Sequence, residues 1–167
     1  MTIAEFDHLT IDKKKELLHN CCGSLTWVNK MLTVFPIDDL VELLEDADEK
    51  WDECKPEDWL EAFEQHPAIG DINSLKEKFY ATADWAQVEQ SGAEKASKET
   101  LDSLADGNKK YLEKFGFIFI VYATGKSADE MLALLQERLK NKPEDEIQIA
   151  AAEQIRITKN RLEKLFS

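Results

Sequence analysis

Apolar residues recur three and four positions apart along most of the chain, with charged residues between them. That spacing predicts amphipathic helices. Thr10 caps a helix running to about Asn20, which Gly23 ends. Ser24 caps a second helix, with Leu25, Val28, Met31 and Leu32 on its apolar side. Asp38 begins a third, whose stripe is Leu40, Val41, Leu43, Leu44 and Ala47. Pro56 suits the first turn of a fourth, PEDWLEAFEQ, in which Trp59, Leu60 and Phe63 face inward. This helix stops near Gln65. The residue before a proline is pushed out of helical geometry, and His66 precedes Pro67.

Further along, Asn73 or Ser74 starts a short helix holding Leu75 and Phe79, and ADWAQVEQ forms another that ends at Gly92. A long helix over 93–114 has Leu101, Leu104, Ala105, Asn108, Tyr111 and Leu112 on its seam. The run 117–122 is apolar on every side, which fits either a buried strand or a buried helical turn. Ser127 and Glu130 spell a capping box for SADEMLALLQERLK. Pro143 opens a last helix with the stripe Ile147, Ala151, Ile155, Thr158, Leu162 and Leu165. About eight helices against at most one strand predict an all-α fold, a compact single-domain bundle over residues 1–167.

Composition narrows the function more than the fold. At 43% hydrophobic residues, the chain can close a core. A net charge of −13 argues against nucleic acid, which needs a Lys/Arg face, and against adhesion to anionic membranes. The longest apolar run, 115–123, is far too short to span a bilayer, and the N-terminus lacks the apolar stretch of a signal peptide. Cys21, Cys22 and Cys54 contain no Cys-x-x-Cys motif and fit reduced thiols in a cytoplasm.

Several stretches are candidates for chemistry. ATGKS, 123–127, imitates a phosphate loop, but Ile120 stands where that motif needs a glycine, so a loop and helix cap fits better. His19, Cys21 and Cys22 make a poor metal site, because neighbouring cysteines do not easily share an ion and no second cluster completes the set. His66 lies at a helix C-terminus, fixed by the turn of Pro67 and Gly70. The helix end favours its protonated form and should raise its pKa, as a proton donor needs, although a surface histidine would sit there equally well. Glu89 lies in the last turn of its helix, against the dipole, where Lys is usual. Arg161 borders the buried stripe of the last helix, sharing a side with Ile157, Thr158 and Leu165. It is either a snorkelling surface arginine or a two-pronged grip for a substrate carboxylate.

Taken in order, CCGSLTWVNKM, HPAIGD, WAQVEQSG, GNKKYLEKFGFIFIVYATGKS, ERLKN and EIQIAAAEQIRITKNRLEKL resemble the 2-oxo-4-hydroxy-4-carboxy-5-ureidoimidazoline (OHCU) decarboxylase family over nearly the whole chain. Each motif alone is modest, and the ordered set is specific. The resemblance implies an all-helical homodimer with no cofactor that decarboxylates OHCU to (S)-allantoin in urate degradation. It carries over His66, Glu89 and Arg161 as catalytic residues. It carries over Pro67, Ala86, Gln87, Val88, Gln90 and the stretch Phe119, Ile120, Val121, Tyr122 and Ala123 as substrate contacts, that stretch largely through its main chain. Ala86 stands where the family usually has Ser, and Tyr122 where it usually has Cys. Two other readings remain: a non-enzymatic acidic helical module, and a hydrolase of a related ureide.

Overall fold

The computed structural model describes the backbone of residues 1–66 and 94–167, and the side chains of 1–66 and 98–167. Among the described residues there are eight α-helices and no strand. They are α1 (Ile3–Asp7), α2 (Ile11–Cys21), α3 (Leu25–Leu32), α4 (Leu40–Asp52), α5 (Pro56–Glu64), α6 (Glu94–Phe115), α7 (Ala128–Arg138) and α8 (Pro143–Leu165). The fold is all-α, as the periodicity predicts. The two short helices expected around Leu75 and in ADWAQVEQ lie outside the described residues. The chain divides into two compact units, one comprising Met1–His66, Ile120–Tyr122 and Ile149–Ser167, the other Pro67–Phe119 and Ala123–Gln148.

The first unit begins with α1, which the apolar pattern does not announce. Its sign is a capping box: Thr2 accepts from the Glu5 N–H at 3.1 Å, and Glu5 accepts from the Thr2 N–H at 2.7 Å. Helix α2 is capped by Thr10 and α3 by Ser24, both as expected, while α4 is capped by Asp39 and not Asp38. The core contains Phe6, Leu18, Trp27, Val28, Met31, Leu43, Ala47, Trp51 and Phe63. Of the expected members, Leu32, Leu40 and Leu44 are half-buried and two are exposed. Leu25 and Val41 occupy the first turns of α3 and α4 and are 57% and 66% exposed. Trp27 and Trp51 are buried instead, and each indole N–H is satisfied by a helix carbonyl, of Ala47 at 3.2 Å and of Ala151 at 2.9 Å. Trp59 and Leu60, expected to face inward with Phe63, are only half-buried.

Gly23 follows α2, but it does not adopt the left-handed conformation expected of a helix-ending glycine. Its requirement is space. A Cβ on residue 23 would lie 2.6 Å from the Cβ of Gln65, a contact that side chains cannot make. Gly23→Ala therefore pushes on the turn that carries His66. We expect a loss of about 1–3 kcal/mol in urea denaturation, the range for overpacking. A Gly23→Ala protein of wild-type stability would show that this turn yields freely.

In the second unit, Leu101, Leu104 and Tyr111 of α6 are buried beside Met131 and Leu135 of α7. Leu112, expected on the seam, is 45% exposed. The apolar run 117–122 is neither strand nor helix. It is an irregular segment in which Phe117, Phe119, Ile120 and Val121 are buried. At ATGKS the chain turns: the Lys126 N–H donates to the Ala123 carbonyl at 3.0 Å, and Gly125 supplies φ 76°. Ser127 then caps α7 by accepting from the Glu130 N–H at 3.2 Å, one half of the expected capping box. The loop-and-cap reading of this stretch holds.

Helix α8 shows a difference of phase. Its fully enclosed positions recur every four residues: Glu146, Ala150, Gln154, Thr158 and Leu162. Ile147, Ile155 and Leu165, which the apolar pattern placed innermost, are half-buried. Three polar side chains, Glu146, Gln154 and Thr158, thus occupy the inner line of the helix, and each has hydrogen-bond partners there.

Candidate active site

Helix α5 ends at Glu64, with Gln65 as its C-cap, so the stop before Pro67 falls where the proline rule puts it. His66 is the next residue. Its N–H donates to the Phe63 carbonyl at 3.2 Å, which extends the helix end by one turn-like bond. The side chain is half-buried, and Nε2 lies 2.6 Å from Oε1 of Gln154 on α8. The imidazole is therefore held at one nitrogen by a fully buried amide.

Gln154 is itself anchored. Its amide NH2 donates to the Thr158 hydroxyl at 3.2 Å, and that hydroxyl donates to the main-chain carbonyl of Gln154 at 3.0 Å. Cys22, also fully buried, is the C-cap of α2 beside Cys21. Burial pushes the Cys22 thiol up to about 12, with the Ser24, Thr158 and Arg161 contacts pulling the other way, so it stays a neutral thiol. Burial also raises Cys21, to about 11, against the pull of Arg161.

Arg161 is half-buried on the same helix. It lies three residues beyond Thr158 and seven beyond Gln154, nearly in line along one side of α8 and about 10 Å further along the axis. Its Nη1 donates to the Cys21 carbonyl at 3.2 Å. That bond orients the guanidinium and leaves it further N–H groups for a carboxylate or carbonyl. One short junction, 21–24, therefore braces the arginine through Cys21 and meets the His66 turn at Gly23, against which Gln65 packs closely.

The segment 119–123, expected to border a ligand, has varied surroundings. Ile120 and Val121 are buried. The Tyr122 N–H donates to Glu153 at 2.8 Å, and the Arg156 guanidinium sits 4.8 Å over the Tyr122 ring. That N–H is thus engaged by the protein. Phe119 packs its ring on Tyr111 at 5.3 Å and under Arg138 at 4.6 Å, and the Ala123 carbonyl closes the turn to Lys126. Pro67, Ala86, Gln87, Val88, Glu89 and Gln90 lie outside the described residues. Among the described residues, no cluster of three His, Cys, Asp or Glu side chains is arranged to hold a metal.

Sequence reasoning missed Gln154 and Glu153, placed Thr158 only on the buried stripe, and weighed Cys21 and Cys22 only as reduced thiols and as a poor metal site. A signal existed for Gln154 and Thr158, since both fall on the four-residue repeat that ends at Leu162. As chemistry, the arrangement offers an oriented imidazole and a guanidinium on one side of a helix. Such a pair can bind an anionic or carbonyl-rich molecule and move a proton.

Comparison with known proteins narrows the field. The family described as OHCU decarboxylase matches residues 7–163. The uric acid degradation bifunctional protein TTL of Arabidopsis thaliana is 40% identical over 151 residues, covering 88% of this chain and 45% of that protein. The 2-oxo-4-hydroxy-4-carboxy-5-ureidoimidazoline decarboxylase of Amia calva is 40% identical over 59 residues, covering 35% of this chain and 34% of that one. This chain thus spans less than half the length of the curated relatives it matches. A crystal structure of OHCU decarboxylase in the presence of (S)-allantoin superimposes with a TM-score of 0.71 at 39% identity, covering 89% of this chain and 95% of that one.

Proposed function

Since the chain belongs to the OHCU decarboxylase family, we propose that it decarboxylates 2-oxo-4-hydroxy-4-carboxy-5-ureidoimidazoline to (S)-allantoin in urate degradation. The observation that carries this reading is the placement of His66 and Arg161. His66 is bonded to Gln154, Arg161 lies on the same side of α8, and each is tied to buried protein groups. In a non-enzymatic acidic module the two would have no common support. The family match runs from residue 7 to 163, which supports treating the chain as one domain.

The substrate name describes the chemistry needed. Its carboxylated carbon also bears a hydroxyl and adjoins an imine. When the carbon–carboxylate bond breaks, CO₂ leaves and the bonding pair passes toward the imine, whose nitrogen takes a proton. The hydroxyl then loses its proton as it becomes a carbonyl, and the neighbouring carbon gains one. Overall, one proton is taken up for each carboxylate lost. The substrate carries its own electron sink, so the reading includes no cofactor. The protein's part is to orient the ring, manage protons and limit water. His66 is the proton-transfer group. Arg161 grips the carboxylate or a ring carbonyl. Glu89 and Gln90, with Pro67 and residues 86–88, keep the roles that the family motif implies, and Phe119, Ile120, Val121, Tyr122 and Ala123 border the ligand.

The homodimer in this reading rests on the resemblance. The cytoplasmic setting is supported by three buried free thiols. Among the described residues no helix is long and apolar enough to cross a membrane.

The test generates the unstable ureidoimidazoline from urate in situ, adds the protein, and follows optically active allantoin by circular dichroism and released CO₂ by trapping. Accelerated formation of one enantiomer with stoichiometric CO₂ supports the reading. A ureide product without CO₂ would make the protein a hydrolase instead. In the same assay Arg161→Lys should raise KM about tenfold or more, because a point-like ammonium replaces a planar two-pronged donor. Unchanged KM and kcat would remove Arg161 from the ligand contacts.

A further inference from the structure

The buried amide beside His66 settles a question that the catalytic reading leaves open, namely which imidazole nitrogen does the work. Thr158 has one hydroxyl proton, and it goes to the main-chain carbonyl of Gln154 at 3.0 Å. The Thr158 hydroxyl also works to lower the Cys22 pKa, but a neutral thiol sulfur is a weak acceptor and does not compete with a carbonyl for that proton. The hydroxyl oxygen can therefore only accept from the Gln154 side chain, so the amide NH2 faces it, at 3.2 Å. The carboxamide is planar, which places its carbonyl oxygen at the other end, 2.6 Å from His66 Nε2. A carbonyl oxygen has no hydrogen to give, so Nε2 must carry one.

We propose that Gln154, braced by Thr158, is a positioning residue that holds His66 in the Nε2–H form, so that Nδ1 is the nitrogen that takes up and returns the reaction's proton. The chemical half of this inference rests on the decarboxylase reading, and the tautomer half does not. In the cycle, the neutral ring accepts one proton at Nδ1 and becomes imidazolium. It then gives one proton back from Nδ1 and is neutral again, with the Nε2–H bond intact throughout. Orientation by a hydrogen bond to the non-reacting nitrogen is how working histidines are commonly fixed. An apolar side chain at residue 154 would suit the buried line of α8 equally well for packing, and would leave Nε2 without its acceptor.

The experiment is a long-range proton–nitrogen NMR spectrum of the 15N-labelled, ligand-free protein, at a pH where His66 is neutral. The chain has three histidines, so subtraction of the His66→Asn spectrum identifies the signal. The expected pattern is that of the Nε2–H tautomer, and an Nδ1–H pattern overturns the proposal. This arm needs no Gln154 variant to fold, and it decides the tautomer even if the protein turns over no ureidoimidazoline. Where activity is present, Gln154→Leu should mix the two tautomers and lower kcat by about 10–100-fold, the usual worth of a partner that orients a working histidine. Gln154→Glu keeps an acceptor and adds charge. It should restore the Nε2–H pattern and move the histidine limb of the pH–rate profile to higher pH. Gln154→Leu with wild-type tautomer and pH profile would make the amide a mere core filler and sink the inference.

Discussion

In the His66→Asn protein, turnover falls by about 10²–10⁴-fold, the usual worth of a general acid or base, while the helical circular dichroism spectrum keeps its wild-type shape. The two halves of this expectation have separate causes. Asparagine is shorter than histidine but still carries an NH2, so it can donate to the Gln154 carbonyl that now faces Nε2 at 2.6 Å. The helix end is unaffected, because α5 is already terminated at Glu64 with Gln65 as its cap. The main-chain bond from residue 66 to Phe63 does not involve the side chain. Asparagine has no group that gains and loses a proton near neutral pH, however, so proton transfer stops. Kinetics of allantoin formation with a parallel melting curve measure both halves. A folded His66→Asn protein with near-normal turnover would take His66 out of the chemistry.

The same turn shows what the sequence makes legible. The stop of α5 is written in Pro67, a local steric rule that tertiary packing does not override. The caps at Thr10, Ser24 and Ser127 are local in the same way, because each is one hydroxyl satisfying one N–H three residues on. The phase of α8 is not local. An apolar-periodicity reading sends Glu146 and Gln154 outward because burying a bare polar group is costly. Inside the protein each has partners that offset this cost, and one partner of each lies far away in sequence, Tyr111 being 35 residues from Glu146 and His66 being 88 from Gln154. Leu25 and Val41 fail in the opposite sense, as apolar residues left exposed in the first turns of α3 and α4. The run 117–122 fits neither period because its buried side chains belong to an irregular segment, and no periodic template describes one.

The candidate site divides along the same line. His66 and Arg161 were visible as residues of the right chemistry at element ends and edges. Their supports were not visible, because a main-chain carbonyl at Cys21 and the close packing of Gln65 on Gly23 leave no mark in side-chain chemistry. The motif ERLKN illustrates this further. The resemblance marks it as characteristic without saying why, and the second unit supplies a physical reason. Arg138 and Asn141, from its second and last positions, both bond Glu146.

That cluster gives the other large effect, on stability. Glu146→Leu should destabilise the protein by about 3–5 kcal/mol, the cost of breaking a buried ion pair from one side, which at this chain length lowers Tm by about 6–20 °C. Glu146 is fully buried and accepts from three donors: Arg138 Nε at 2.6 Å, the Tyr111 hydroxyl at 2.6 Å and Asn141 Nδ2 at 2.9 Å. Burial, then the bond to Glu146, raises the Tyr111 pKa, so the phenol remains a donor at any pH where the protein is handled. A leucine fills similar volume but accepts nothing, and leaves a phenol and a guanidinium beside hydrocarbon. Arg138 stays in place, stacked on Phe119 at 4.6 Å, so its charge cannot readily escape to water. A second variant separates pair breaking from simple repacking. Arg138→Met combined with Glu146→Leu removes both charges and should cost clearly less than the sum of the single changes. Urea denaturation of the four proteins of this cycle gives the coupling directly. Additive losses would mean that packing alone, and not the charge pair, holds α6, α7 and the start of α8 together.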